Sequence, residues 1–216
     1  RTASSYRQFT EKHLDQMRLA WMALHSESWI PSKKILAQLV RQAATDDLGG
    51  ALELAYTYIS TIRSEYIQAE SALEFVERWA KGQATDSTPA TLRIGEVAEL
   101  TGLSRDMLRN WERDGLIAVP RNQQNKYRLY GAQEIGQLRV LRMLRNAGYS
   151  TMAILRLVQS LNKGQTDNLR EILDTPDPDE DIFSAADSWL STLKECEQRG
   201  KQIIQQLETM IDNQHK

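Results

Sequence analysis

Two stretches of this chain repeat apolar residues in alternating steps of four and three, and that periodicity limits the possible folds more than any other feature. In the first stretch Leu48, Leu52, Ala55, Ile59, Ile62, Tyr66, Ala69, Leu73, Val76 and Ala80 share one stripe. In the second the same steps select Ile182, Ala186, Trp189, Leu193, Cys196, Gly200, Ile203, Leu207 and Met210. A stripe with a seven-residue period, kept over about four repeats, is the seam of a helix that packs lengthwise on another helix. Alternating β-branched runs are few, so the expected class is mainly α. Cys196 is the lone cysteine and falls on a seam, where a thiol acts as a small hydrophobe. One cysteine allows neither an internal disulfide nor a multi-thiolate metal cage.

An internal repeat surrounds the seams. Tyr6 to Met22 aligns with Tyr127 to Met143: Tyr6, Arg7, Gln16, Arg18 and Met22 match Tyr127, Arg128, Gln137, Arg139 and Met143. Phe9, Leu14 and Met17 match Tyr130, Ile135 and Leu138 in kind. Each copy is followed by another helical stretch and then by a seam. The chain therefore reads as two copies of one module, the first beginning at what is a late point of the second. Because the sequence starts at Arg1 rather than Met, an upstream segment carrying the missing third is expected.

The second copy carries the chemistry. Ile94, Val97, Ala98 and Leu100 have helical spacing, and Gly102 suits the left-handed residue that closes a helix. Ser104 can N-cap the next helix, with Leu103, Met107, Leu108 and Trp111 as its apolar face and Gly115 as its stop. Two short helices joined by a tight Gly-containing turn form a helix-turn-helix, whose second helix enters a major groove. The runs Leu116–Pro120 and Lys126–Tyr130 read as two strands of a hairpin with Arg121 to Asn125 at its tip, a wing that can lie beside phosphates. Although the net charge is −2, nine arginines and one lysine between Arg93 and Arg145 face six carboxylates. Between Lys163 and Asp181 seven carboxylates face two cations. A basic patch on an acidic chain points to nucleic acid more strongly than overall charge does.

Arg93 to about Leu161 resembles the MerR family of transcription regulators. The resemblance rests on Ile94-Gly95-Glu96-Val97-Ala98, Gly102-Leu103-Ser104, the run Leu108 to Ile117, Pro120-Arg121 and Tyr127-Arg128-Leu129-Tyr130. It implies a winged helix-turn-helix domain with a small β-hairpin wing, plus long antiparallel coiled-coil dimerisation helices. It also implies binding to double-stranded promoter DNA, distortion of an overlong promoter spacer, and RNA polymerase as a partner. The expected organisation is a partial module at 1–46, a seam helix at 47–81, a linker at 82–91, the complete winged helix-turn-helix at 92–162, an acidic linker at 163–181 and a second seam helix at 182–214. Metal-sensing members carry cysteines near the start of the dimer helix and in a C-terminal loop, which this chain lacks, and no effector can be named.

The expected DNA-contacting residues are Ser104, Arg105, Arg109, Asn110 and Trp111 on or near the recognition helix, and Arg113, Arg121, Lys126, Tyr127 and Arg128 as phosphate ligands. Arg139 and Arg142 are secondary candidates. Core packing is the alternative for Trp111, and an ion pair with Glu112 the alternative for Arg128. The two seams can form an internal pseudo-dimer, with Tyr66 opposite Gly200, Ile59 by Leu207 and Ala69 by Cys196, or a homodimer in which like helices pair. Catalysis is not expected: His13, His25 and His215 are scattered, and no carboxylate pair, nucleophile elbow or phosphate-binding Gly loop appears. No cofactor is expected. With no membrane-length apolar run and no signal peptide, a cytoplasmic location without a membrane partner is expected. The rival reading is a helical interaction module or adaptor that reuses the fold without touching DNA.

Overall fold

The computed structural model describes residues 8–25, 32–82, 91–176 and 185–214. Tyr6 and Arg7 of the repeat, most of the linker at 82–91, residues 177–184 and His215 lie outside the described residues. The elements run α1 (Glu11–Leu24), α2 (Lys33–Ala44), α3 (Leu48–Ala80), α4 (Ile94–Thr101), α5 (Arg105–Arg113), α6 (Ala132–Asn146), α7 (Thr151–Asn162), α8 (Leu169–Asp174), one 3-10 turn (Ala185–Ser188) and α9 (Trp189–Gln214). The mainly helical class is as expected. α8 is a short helix inside the expected acidic linker, and the 3-10 turn, rather than continuous helix, precedes Trp189.

The wing departs from expectation. No β-strand forms among the described residues; the region holds only the isolated bridges Leu92–Tyr130 and Arg121–Arg128. Pro120 brings no N–H to a ladder, and Asn122 turns its side chain inward to accept from the N–H groups of Gln124 and Asn125. What results is a closed loop, in which Asn122 N–H donates to the Tyr127 carbonyl at 2.8 Å and Leu129 N–H to the Pro120 carbonyl at 2.9 Å.

The chain divides into two compact units, one of Arg1–Tyr66 with Ser191–Lys216, the other of Ile67–Leu190. In the first unit α1 packs on α2. Leu19 and Ala23 of α1, with Leu36, Leu39 and Ala43 of α2, are buried. Gln16 donates to the Ala43 carbonyl at 3.0 Å, and Asp46 pairs with Lys12 while accepting from Gln214 at 3.0 Å.

In the same unit α3 and α9 run antiparallel. Gly200 faces Ile59, Arg63 pairs with Glu197 at 2.9 Å, and the Lys194 ammonium stands 5.8 Å from the centre of the Tyr66 ring. The expected register is therefore off by one heptad, since Gly200 meets Ile59 and not Tyr66. A heptad pattern is unchanged by a shift of seven, so apolar spacing cannot choose between the two. The structure places the smallest residue of α9 against a branched side chain and lets Glu197 reach both Arg63 and Lys201 (3.2 Å). Those two cations hold the Glu197 carboxyl below its usual range. Tyr58, one position off the stripe, is also buried. Burial pushes its phenol up, and does the same to the Cys196 thiol.

In the second unit the described part of α3 beyond Ile67 buries Ala69, Ala72, Leu73 and Val76. The Tyr149 hydroxyl donates to the Ala69 carbonyl at 3.3 Å, and Arg170 of α8 grips Glu70 with both arms at 2.8 and 2.6 Å. Trp189 donates to the Ala147 carbonyl at 2.7 Å. Its ring leaves no room beside Gly148, whose φ of +98° disfavours any other residue.

A methyl group at Gly200 would sit 2.6 Å from Ile59 Cγ1. Gly200→Ala gains about 1 kcal/mol of helix propensity but must displace a packed neighbour, so we expect a net loss of about 1 kcal/mol by urea denaturation. Adding Ile59→Val should restore part of it. A more stable Gly200→Ala protein would contradict this register.

Candidate nucleic-acid interface

The site is assembled from α4, α5 and the loop after them. α4 starts where the Glu96 carboxylate accepts from the Arg93 N–H at 2.6 Å, and it stops at Gly102, whose φ is +66°. The freed Thr101 carbonyl accepts from the Arg142 guanidinium, so Arg142 fastens α6 to the end of α4 and is placed as a structural residue. Ser104 caps α5 by accepting from Met107 N–H at 3.1 Å. Gly115, with φ +78°, ends that segment; Leu116 N–H donates to the Trp111 carbonyl, and Gln137 donates to the Leu116 carbonyl at 3.0 Å.

Leu103, Leu108 and Trp111 form the buried underside of α5. At 7% exposure Trp111 has a packing position. Met107, expected on that face, is 42% exposed instead, because its place on the turn points outward. The opposite side of α5 exposes Arg105, Asp106, Arg109, Asn110 and Arg113. Arg105 and Arg109 are one turn apart and share a face.

Glu112 joins this helix to the loop. Its carboxylate accepts from Arg128 and, at 3.1 Å, from Arg121. The loop's far end is shaped by Lys126, which adopts a left-handed φ of +60°, and by the Arg93 guanidinium, 5.9 Å from the centre of the Tyr127 ring. Gly95 gives the Arg105 guanidinium room to lie on α4: a side chain there would come within 3.0 Å of it.

These elements enclose an open cleft of about 740 Å³ lined by Arg93, Arg105, Arg109, Arg121, Lys126 and Arg128, with Glu96 among its walls. Arg109 shares its charge with Asp106 at 2.9 Å, and Glu112 takes part of that of Arg121 and Arg128. Arg93, Arg105 and Lys126 meet no carboxylate among the described residues. Beneath the cleft the Tyr130 hydroxyl is buried, and burial pushes its phenol up. Guanidinium groups spaced around an open recess suit phosphate oxygens, which they can grip two-pronged.

Six of the ten expected site residues, Arg105, Arg109, Arg121, Lys126, Tyr127 and Arg128, converge on this cleft. Ser104, Asn110 and Trp111 border a different recess, beside Met107, Arg142 and Arg145. Arg113 lines neither and lies 3.4 Å from Asp114. Arg93 was missed, although its position just before α4 and three residues from Glu96 was a usable signal. Among the described residues no three His, Cys, Asp or Glu side chains are placed to hold a metal ion. No helix among them is long and apolar enough to cross a membrane.

Fold and site together define a helix-turn-helix unit with a cationic loop against its second helix. The family model described as "MerR HTH family regulatory protein" matches residues 92–161, and this segment is a MerR-family helix-turn-helix domain. Among curated proteins, the chain is similar to the HTH-type transcriptional regulator CueR of Escherichia coli O6:H1, at 34% identity over 34% of this chain and 55% of that one. It is also similar to the mercuric resistance operon regulatory protein of Bacillus cereus, at 29% identity over 34% and 55%. A probable heavy metal-dependent transcriptional regulator of Haemophilus influenzae matches at 36% identity over 31% and 52%. The chain thus spans about half the length of the curated relatives it matches. No solved structure matches it. The printed names are those of regulatory proteins.

Glu112→Ala removes both anchors of the loop. Amide exchange at Asn122 and Leu129 should then rise at least about tenfold, the equivalent of 1.4 kcal/mol of local opening, with helix content kept. Unchanged exchange would show that the loop holds without this carboxylate.

Proposed function

We propose that the chain is a sequence-specific DNA-binding transcription regulator that docks α5 in a major groove and lays the Arg121–Tyr127 loop along the adjoining phosphates. The observation that carries this reading is the cleft: six cations from two helix ends and a loop converge where only Glu96 supplies an opposing wall charge. Arg105 and Arg109 supply groove and backbone contacts, while Arg93, Arg121 and Lys126 supply phosphate contacts. Arg128, drawn to Glu112, acts mainly by holding the loop. Ser104 and Asn110 flank α5 from its other recess, where they can meet the second strand. The names of the matched relatives support the regulatory role. Promoter DNA as the target, distortion of its overlong spacer and RNA polymerase as a partner are what the family resemblance implies.

Two seam helices that pair antiparallel within one unit support an internal pseudo-dimer over a homodimer. The tandem reading is further supported by helix starts of the same kind. The Thr10 N–H donates to His13 three residues on (3.1 Å), as the Gly131 N–H does to Glu134 (2.7 Å). Sedimentation equilibrium should give the mass of one chain; a stable dimer would reject the pseudo-dimer.

Anisotropy titrations on duplex DNA should give a log K that falls linearly with log salt. Lys126→Ala should lower that slope by about 1 and weaken all sequences alike, whereas Arg105→Ala should also reorder sequence preference. An adaptor that reuses the fold would bind no duplex at low salt, and that result would replace this reading.

A further inference from the structure

The two repeat copies share helix starts but not their surroundings. Tyr130, just ahead of α6, and Ile135 and Leu138 within it are fully buried. Their cover is the helix-turn-helix: Leu92 bridges Tyr130, α4 packs on α6, Gln137 donates to Leu116 and Arg142 to Thr101. The aligned residues are Phe9, just ahead of α1, and Leu14, Met17 and, opposite Arg142, Trp21 within it. Their exposures are 64%, 40%, 60% and 64%. The other face of α1 behaves as in α6, with Leu19 and Ala23 buried where α6 buries Val140 and Leu144. The side that α6 gives to α4 lies open.

Leu14, Met17 and Trp21 along one side of a 14-residue helix, with Phe9 just ahead of it, form a run of large exposed apolar side chains at the positions that the other copy covers. We propose that this face of α1 is the docking surface for a second helix-turn-helix unit of the α4–α5 type, apolar beneath and cationic outside. Alignment with α6 identifies the occupant, because there the helix-turn-helix packs on and bonds to this side. Trp21 replaces Arg142, so the cover in this module is held by an aromatic contact where the other uses a hydrogen bond to the end of α4. The bound unit would bring a second cationic helix to the protein. This inference rests on reading residues 1–46 as part of a second module, and not on DNA binding by the cleft.

The test supplies the cover from the protein itself. Residues 91–126 are joined ahead of Tyr6, so that Tyr6 takes the place Tyr127 holds in the other module, with the rest of the chain intact. Maleimide labelling of Met17→Cys, followed by mass spectrometry at that site, should slow at least tenfold in the fused protein, while Glu53→Cys on α3 labels as before. Leu14→Asp in the fused protein should return Met17→Cys to fast labelling. Labelling of Met17→Cys as fast with the added segment as without it overturns the proposal. So does slow labelling that survives Leu14→Asp. So also does an unfused chain that dimerises as Met17→Cys labelling slows with concentration, which would make a second copy the cover. None of these readouts involves DNA, so their failure is separable from failure of the DNA-binding reading.

Discussion

The Glu112 carboxylate stands where α5 and the basic loop meet, and the geometry of the cleft depends on it. It draws Arg121 and Arg128 back towards the helix and so fixes the loop at a set distance from Arg105 and Arg109. Isolated surface ion pairs contribute little, usually under about 1 kcal/mol, but one carboxylate shared by two half-exposed guanidiniums also fixes direction. The loop has no strand ladder to do so. The arrangement has an electrostatic consequence too: two cations are partly neutralised for architecture, and Arg93, Arg105 and Lys126 are left to set the field of the cleft.

Below that junction the helix ends do the positioning. Gly102 and Gly115 take left-handed conformations that stop α4 and α5, and Ser104 restarts the chain between them. Arg142 and Gln137 then tie the pair to α6 through the carbonyls of Thr101 and Leu116. The helix pair is therefore held through backbone carbonyls at the end of α4 and just after α5, as well as by the apolar contacts of Leu108 and Trp111. In the first unit, α1 repeats the beginning of α6 without the elements that α6 carries on its back.

Much of this was legible in the sequence, and the misses have physical causes. Burial of most described seam residues followed from the seven-residue period, with Leu52, Tyr66, Ala80 and Ala186 half-buried, and the caps at Gly102, Ser104 and Gly115 followed from residue chemistry. The register of α3 against α9 did not follow, since a heptad stripe is degenerate under a shift of seven; Gly200 against Ile59 and the Arg63–Glu197 pair decide it. The wing strands were expected from Leu116–Pro120 and Lys126–Tyr130, but Pro120 and the side chain of Asn122 favour a loop closed by single bridges. In the site, the arginine stripe of α5 was readable, whereas the sorting of Ser104 and Asn110 away from the cleft depends on the angle between α5 and the loop. No local pattern encodes that angle.

The central claim is that α5 and the Arg121–Tyr127 loop grip duplex DNA together. Hydrogen exchange of the full chain, free and saturated with a selected duplex, tests it most directly. The account predicts slowed exchange in residues 105–109 and 121–128 at once, with α8 unchanged. Protection of α8 or of the acidic stretch beside it, with both cleft elements unaffected, would contradict it.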